Sequence, residues 1–307
     1  MSNIYSNSYQ DPYNNEEKKR PISVSAVVRI VIWSVVFCIL SGIFTSAMVH
    51  QWRNTGLGTG SINLGGYWYD EDDYTVGAGK TLEVVDEITI EWIAGSVTLI
   101  EAEGDELVIS EDYESEDSDI RLRWKVENGE LSVKYCKPSW VGTTSVKKNL
   151  TVAVPSSMVA SLDEVHVSAV SATQSIQISS DELEIDTVSG DVTVRGTFGT
   201  MDVETVSGTV NFEGVLQNGN FEGVSGSLKL KLLQQASSLD METVSGNMTV
   251  TLPETVTGFR VDSDSVSGHV NIHGFDGVSH QRWGDGSMRI DMESVSGQLI
   301  VEKATNN

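Results

Sequence analysis

The chain is poor in cysteine, proline and basic side chains, and each shortage excludes a class of protein. Its 307 residues include 2 Cys and 5 Pro, and 20 Lys and Arg stand against 44 Asp and Glu, for a net charge of -24. Two cysteines cannot build a disulfide framework, and no Cys or His spacing fits a structural zinc site. The carboxylate excess repels phosphate, which excludes nucleic acid as an expected partner. With 28 Gly and 39% hydrophobic residues, the composition is that of a folded acidic protein.

One segment is apolar enough to lie in a lipid bilayer. Residues 30–49 carry no charge over 20 positions, and as a helix they would span about 30 Å, the thickness of the hydrocarbon layer. A buried core helix is an alternative, but helices apolar on every face are unusual in ordinary domains. A cleaved signal peptide is another, although its apolar run is normally shorter. We therefore expect a single transmembrane helix within residues 21–52.

The distribution of basic residues predicts how this helix is oriented. Four precede the apolar run and one follows it: Lys18, Lys19, Arg20, Arg29 and Arg53. The positive-inside rule then places the N-terminus in the cytoplasm and the bulk of the chain outside. We expect a disordered cytoplasmic tail over residues 1–20 and a flexible, Gly-rich acidic stalk over residues 53–79. Cys136 would have no cysteine partner on the outer side, so no intrachain disulfide is expected.

A repeated triplet organises the rest of the sequence. Val-Ser-Gly occurs six times, beginning at Val188, Val206, Val224, Val244, Val266 and Val295. Counting the Val of each triplet as position 0, apolar residues recur at −5, −3, +4 and +6, as in Leu183, Ile185, Val192 and Val194. This alternation predicts two strands per repeat, each with one buried face. Two degenerate repeats, around Ile93 and Val170, fit the same template, which makes eight.

The fold class predicted by these repeats is all-β, a parallel β-solenoid of about eight two-strand units over residues 80–303. A β-sandwich is the competing fold, but it would not need the same triplet at every turn. We expect the Val to pack inward, the Ser to join a stacked polar column and the Gly to permit a sharp corner. At Val266 the apolar pair is Phe259 and Val261, shifted by two positions, which predicts a bulge or a longer corner. Residues 100–155 interrupt the pattern and contain a predicted hairpin turning at residues 127–130.

Several longer motifs carry a family resemblance. They are ITIEWIAGSVTLIEAEGDELVISE (88–111), LRWKVENGELSVKYCK (122–137), KKNLTVAVP (147–155), the serial TVSG units and WGDGSMRIDMESVSGQLIVEK (283–303). Together they resemble the bacterial β-strand-repeat "putative adhesin" domain family, whose function is unknown. The resemblance implies a bacterial cell-surface or envelope β-solenoid, often tethered to the cell membrane by one helix. It brings no catalytic residues, and some relatives are associated with cell-envelope stress responses.

Candidate catalytic and metal-binding groups lack the partners that they need. Ser225 stands in Gly-Val-Ser-Gly, without the G-x-S-x-G spacing and following helix of a hydrolase nucleophile. His269 and His273, with His280 nearby, have no closed ligand set, and we interpret them as solvated surface residues. There is no phosphate-binding loop, and no carboxylate pair stands out as an acid/base dyad of a polysaccharide-active enzyme. We expect a non-enzymatic protein without a resident cofactor or metal.

One constellation of acidic residues remains as a candidate site. Position −2 is acidic in seven of eight repeats: Glu91, Asp186, Glu204, Glu222, Glu242, Asp264 and Glu293. Position −4 adds Glu184, Asp202, Asp240, Asp262 and Asp291. If the repeats stack in register, like charges lie about 4.8 Å apart. The hypothesis is a cation ladder, with Asp186, Glu204, Glu222, Glu242 and Glu293 as its members, that binds Ca²⁺ weakly or a basic partner. The alternative is a solvated face that prevents aggregation.

These inferences predict a membrane-anchored cell-surface module that is adhesion-like or binds a cell-envelope component. The alternative is a cell-envelope stress sensor or regulator acting through a membrane partner, because a 20-residue tail is too short for a catalytic output domain. The identity of the ligand and the state of self-association stay open at this point.

Overall fold

The computed structural model describes residues 66–67, 69–113, 116–140 and 146–304. Among these residues, no helix combines the length and the apolar character that a membrane crossing requires. The predicted tail, residues 1–20, and the predicted transmembrane helix, residues 21–52, lie outside the described residues, as does the first part of the predicted stalk.

Strands make up nearly all regular structure of the described chain. The helical elements are a 3-10 turn, Ser118–Ile120, and a short helix α1, Ser156–Val159. The strands in chain order are β1 (Gly66–Tyr67), β2 (Thr75–Val76), β3 (Gly79–Thr81), β4 (Glu87–Ala102), β5 (Leu107–Glu111), β6 (Arg123–Glu127), β7 (Glu130–Lys134), β8 (Ser139–Trp140), β9 (Lys148–Pro155), β10 (Glu164–Gln177), β11 (Ser180–Ser189), β12 (Val192–Ser207), β13 (Thr209–Leu232), β14 (Ser238–Leu252), β15 (Gly258–Ser265), β16 (His269–His273), β17 (Arg282–Gly284) and β18 (Met288–Lys303). Sixteen of them belong to one continuous sheet, and β1 pairs with β8 separately. The all-β prediction is confirmed.

Neighbouring repeats pair in parallel, with the same repeat position opposite itself. Ile185 lies opposite Val203, and Phe221 lies opposite Met241. The predicted alternation is confirmed, because residues at −5 and −3 such as Leu183 are buried while those between them are partly exposed. One long core of stacked aliphatic side chains therefore runs through the sheet, and no single repeat could bury its own apolar face.

The order of the repeats in the stack differs from their order along the chain at both ends. Strand β18 lies between β14 and β15, so the last repeat is inserted before the repeat at Val266. At the other end, β4 lies between β10 and a layer made of β7 and β9. The segment that we took as an interruption thus supplies one further layer. The predicted hairpin is confirmed as β6 and β7, with Asn128 and Gly129 at positive φ in its turn.

The repeat at Val266 is in register, contrary to the bulge that we expected. Val261 lies opposite Ile290, and Ser263 lies opposite Met292, so position −3 simply holds a polar residue there. This repeat ends the stack, where Ser263 is exposed and donates a hydrogen bond to Gln281 Oε1 at 3.3 Å. Phe259, at −7, instead packs against Phe275 and Trp283, with ring centroids 4.9 and 6.1 Å away.

The corner triplet works differently from our expectation for its Val. Alternation places position −1 inward, where Thr187 is 1% exposed. The Val of the triplet is half-buried in five repeats and 55% exposed only at Val266, in the repeat that ends the stack. The Ser column is as expected: Ser207 Oγ donates to the carbonyl of Val188 in the preceding repeat at 3.3 Å. Gly208 has φ +131, and a Cβ there would lie 2.2 Å from the Gly190 carbonyl oxygen. Close stacking of corners, besides the turn itself, therefore requires glycine.

A buried cation closes the end of the stack that holds β9. Lys148 is 0% exposed, and its Nζ lies 3.0 Å from Glu111 Oε2 and donates to the Ile120 carbonyl at 2.8 Å. The ammonium also sits 5.0 Å from the Trp92 ring and 4.2 Å from the Tyr135 ring. Burial lowers the pKa of Lys148, and the charge of Glu111 opposes that effect. These contacts stabilise this end of the stack, which we call the cap, and they give Lys148 a structural role.

The folded region begins earlier than the boundary at residue 80 that we placed after the stalk. Tyr69 Oη donates to the Cys136 carbonyl at 2.6 Å, and Glu71 forms an ion pair with Arg123 at 3.4 Å. Strand β2 pairs with β6. Cys136 itself is a buried free thiol.

Candidate cation-binding face

The two acidic columns predicted from the sequence lie side by side on one outward surface, which we call the acidic face. It consists of positions −4 and −2 of the stacked repeats. Along position −2 the successive pairs are Asp186–Glu204, Glu204–Glu222, Glu222–Glu242, Glu242–Glu293 and Glu293–Asp264. Along position −4, Asp202 lies opposite Glu184, and Asp291 lies opposite both Asp240 and Asp262. All five members of the predicted ladder therefore share one column.

Basic residues neutralise the acidic face at its two ends and not in its middle. At one end, Lys134 Nζ donates to Glu91 Oε1 at 2.5 Å. At the other end, Arg289 pairs with Asp291, and Arg260 lies 3.7 Å from Asp262. By contrast, the central carboxylates Glu204, Glu222 and Glu242 have no ion-pair partner in the described part of the chain. The middle of the face is consequently where an external cation would gain most.

Burial and repulsion between neighbours raise the pKa of two of the stacked carboxylates. Burial, followed by repulsion from Asp186 and Glu222, raises the pKa of Glu204 to about 7. Burial and the charges of Glu222 and Glu293 likewise raise the pKa of Glu242. Near neutral pH the face thus holds negative charge at an energetic cost, which a proton or another cation reduces.

The acidic face contains an open hollow near the end formed by β15. It has a volume of about 430 Å³, and its lining includes Met241, Ser263, Met292, Arg289 and six carboxylates: Asp240, Glu242, Asp262, Asp264, Asp291 and Glu293. Burial, and then a hydrogen bond with Asp291, raises the pKa of Asp240. A broad polar hollow of this kind suits an extended or hydrated ligand better than a small apolar one.

One histidine joins the acidic face at a position that sequence reasoning did not single out. His166 is on β10, opposite Glu184 of β11, and its Nε2 lies 3.1 Å from Asp186 Oδ2. The hydrogen bond to the Asp186 carboxylate raises the pKa of His166, while burial opposes the rise. The signal was present in the sequence: position −4 of the degenerate repeat at Val170 is His166. This repeat thus carries an imidazole where other repeats carry a carboxylate.

The opposite outward surface of the same repeats alternates in charge. Glu213 lies 3.5 Å from Arg195 Nε of the preceding repeat and 2.7 Å from Lys231 Nζ of the following one. The hydrogen bond from Lys231, with its charge, lowers the pKa of Glu213. Acidic and basic residues thus satisfy one another on this side.

The remaining candidate residues stay apart from the acidic face. His269 and His273 are exposed on β16, and His280 Nδ1 lies 2.9 Å from Ser279 Oγ. Ser225 Oγ donates to the Val206 carbonyl at 3.3 Å as a member of the Ser column. Among the described residues, the single group of three potential metal ligands is His166, Glu184 and Asp186.

Comparisons with known proteins place the chain in a family. The model of the Toastrack DUF4097 family matches residues 69–302. No curated protein matches the chain.

The solved structures to which the chain is similar come from several bacteria. A putative adhesin from Bacteroides fragilis is 14% identical, with a TM-score of 0.46, covering 75% of this chain and 97% of its own. A putative cell adhesion protein from Clostridium sporogenes is 10% identical, with a TM-score of 0.33, covering 75% of this chain and 100% of its own. A putative lipid binding protein from Parabacteroides distasonis is 11% identical, with a TM-score of 0.31, and covers 75% and 97%.

Proposed function

The chain belongs to the Toastrack DUF4097 family, and we propose that it is a non-enzymatic surface-binding module whose acidic face recognises a cationic partner. The proposal includes a parallel β-solenoid displayed outside a bacterial cell membrane and anchored by the apolar segment within residues 21–52. The partner is a basic component of the envelope or of another surface. The family match covers the repeats that build the acidic face, and the family resemblance found in the sequence points to a cell-surface protein.

The observation that carries the proposal is the row of carboxylates at Glu204, Glu222 and Glu242, which have no ion-pair partner among the described residues. Strand register holds the backbones of these residues opposite one another, so their carboxylates stay close together in the folded protein. Raised pKa values at Glu204 and Glu242 mean that the folded protein pays for keeping them ionised. A cationic ligand with charges spaced along an extended chain would offset several of these repulsions at once.

The ladder also offers Ca²⁺ the oxygen ligands that this hard cation prefers. Because the carboxylates lie on one open surface and not around a closed loop, binding would be weak and dependent on salt. Ca²⁺ and a basic partner would compete for the same carboxylates.

Titration of a fluorescent oligolysine into the full chain in detergent tests the proposal by anisotropy. The variant that removes the central charges is Glu204→Gln/Glu222→Gln/Glu242→Gln, and the matched control is Lys229→Gln/Lys231→Gln on the opposite surface. We expect the triple variant to bind about tenfold more weakly, since three exposed charge pairs contribute roughly 1.5 kcal/mol together. Equal affinity of the wild type and the triple variant would remove the acidic face as the recognition surface.

A second candidate function, regulation of an envelope stress response, rests on the apolar segment and the short charged tail before it. Deleting residues 1–18 separates the two functions. If a stress response is lost while oligolysine binding is intact, regulation through a membrane partner is favoured. If the deletion leaves the stress response unchanged, the binding module stands alone.

A further inference from the structure

We propose that His166, Glu184 and Asp186 form a binding site for a divalent transition-metal ion of the Zn²⁺ type. The site is distinct in chemistry from the rest of the acidic face, because it adds an imidazole nitrogen to two carboxylates. It does not depend on the oligolysine-binding function proposed above.

The strand register brings the three side chains together from two adjacent strands. His166 lies directly opposite Glu184, and Asp186 follows two residues later on the same outward side. One potential ligand atom from each residue lies within 4.8 Å of the other two. Both strands belong to the paired interior of the sheet, so the backbone that carries these groups is held on both sides.

The distance between His166 and Asp186 matches that between two ligands of a metal centre. In a four-coordinate site with bonds of about 2.1 Å, the ligand atoms lie roughly 3.4 Å apart. The 3.1 Å between His166 Nε2 and Asp186 Oδ2 already satisfies that spacing. Only the Glu184 carboxylate has to approach, and a change in its flexible side chain torsions provides that movement.

The donor set selects the kind of ion. Ca²⁺ and Mg²⁺ prefer ligand sets made entirely of oxygen, whereas imidazole favours Zn²⁺ and its neighbours among the transition metals. The other residues at these two positions are carboxylates, apart from Asn220, Thr89 and Ser168, and none of them offers an imidazole nitrogen. His166 therefore makes this one place on the acidic face suited to a transition metal.

The charge balance around the site favours a divalent cation. Glu184 is half-buried and forms no ion pair among the described residues, although His166 is its neighbour. The next repeat adds Asp202 and Glu204 directly beside Glu184 and Asp186. On the other side, Thr89 lies opposite His166, and Ser168 lies opposite Asp186, so neither neighbour adds a charge that would compete for these carboxylates. Protonated His166 paired with Asp186 is the competing state without metal, and it neutralises only one of these carboxylates.

Isothermal titration of the full chain in detergent with ZnCl₂, and separately with CaCl₂, tests the site. We expect one Zn²⁺ to bind the wild type at least tenfold more tightly than the His166→Gln variant. Ca²⁺ binding should be the same in both proteins, because it does not use the imidazole. Titration with CoCl₂ adds an optical readout, since ligand-field bands of bound Co²⁺ should appear in the wild type and be lost in His166→Gln.

The control variant is His269→Gln, which removes an exposed histidine from β16 and should leave Zn²⁺ affinity unchanged. Circular dichroism shows whether each variant is folded. If His166→Gln does not fold, Asp186→Asn provides a second variant that removes a ligand. Zn²⁺ affinity that is equal in the wild type, His166→Gln and Asp186→Asn would overturn the proposal. Loss of affinity in His269→Gln to the same extent would also overturn it, since the metal would then bind surface histidines in general.

Discussion

The two outward surfaces of the stacked repeats are built by the same parallel register, yet their charges behave in opposite ways. On the acidic face, carboxylate lies opposite carboxylate, and the pKa of Glu204 rises to about 7. On the opposite surface, Glu213 lies between Arg195 and Lys231, and its pKa falls. Both surfaces could have been neutralised by alternating charges. The proposed binding role of the acidic face rests on this column of like charges, which the opposite surface lacks.

The contrast between the two surfaces depends on close stacking of the repeats, which the glycines of the corner triplets permit. Replacing one of these glycines should therefore destabilise the stack. In Gly208→Ala the new Cβ would meet the Gly190 carbonyl oxygen at 2.2 Å, on a backbone with φ +131. We expect a loss of more than about 3 kcal/mol in the free energy of unfolding, measured with urea.

The matched control for this substitution is Gly104→Ala. Gly104 has φ +104, but a Cβ there would have no neighbour within 4 Å. Its cost should be the backbone strain alone, about 1 kcal/mol. Equal losses in the two variants would show that the corners do not stack as closely as described.

Calcium should act on one surface and not on the other. If the central carboxylates bind Ca²⁺ with a Kd of about 1 mM, then 10 mM CaCl₂ stabilises the wild type by roughly 1.4 kcal/mol. For a domain of this size that is a rise in Tm of about 4 °C. Differential scanning calorimetry should show a rise in Tm of less than about 1 °C for Glu204→Gln/Glu222→Gln/Glu242→Gln, and the full rise in Tm for Lys229→Gln/Lys231→Gln. NaCl at matched ionic strength controls for screening, and an unchanged wild-type Tm would remove the Ca²⁺ interpretation.

The pH dependence of stability should separate Glu204 from ordinary surface carboxylates. Its raised pKa means that the folded state binds more protons than the unfolded state between about pH 4.5 and 7, so this group's contribution to stability falls as the pH rises through that window. Glu204→Gln should therefore stabilise the protein at pH 8, by about 1 kcal/mol after allowing for solvent screening, and not at pH 4.5. Urea titrations at the two pH values measure this, and destabilisation at pH 8 would contradict it.

Glu213 on the opposite surface should show a smaller effect of the other sign. Because its pKa is lowered, ionised Glu213 stabilises the fold above its ordinary pKa, and the contribution is lost as the pH falls. Glu213→Gln should cost less than about 0.5 kcal/mol at pH 7, since the pair partners are exposed. The cost should disappear in 1 M NaCl, and a stabilising effect at pH 7 would make the two surfaces alike.

The sequence was informative wherever one repeat position had one role. The acidic columns, the Ser column and the turn at Asn128 and Gly129 follow from spacing and residue type alone. It was less informative at the ends, because pairing partners there are not neighbours along the chain. Nothing local in residues 288–303 predicts that they insert between β14 and β15.

The sequence-based predictions for the corner and for the histidine were incomplete for different reasons. We expected the Val of the triplet inward because it is apolar, whereas alternation starting from Ile185 places Thr187 inward. His166 was overlooked because it belongs to a degenerate repeat, and its significance appears only once Glu184 is seen opposite it.

The sequence by itself determined an all-β repeat, the two sides of its strands and the acidic character of one side, because alternation around a recurring triplet leaves few other ways to bury the apolar residues. Only the tertiary structure decided the stacking order at the two ends, the buried Lys148–Glu111 pair in the cap, and the meeting of His166 with Asp186. Those features depend on contacts between distant segments, whose geometry is set by the packing of the whole stack and not by the residues around each one.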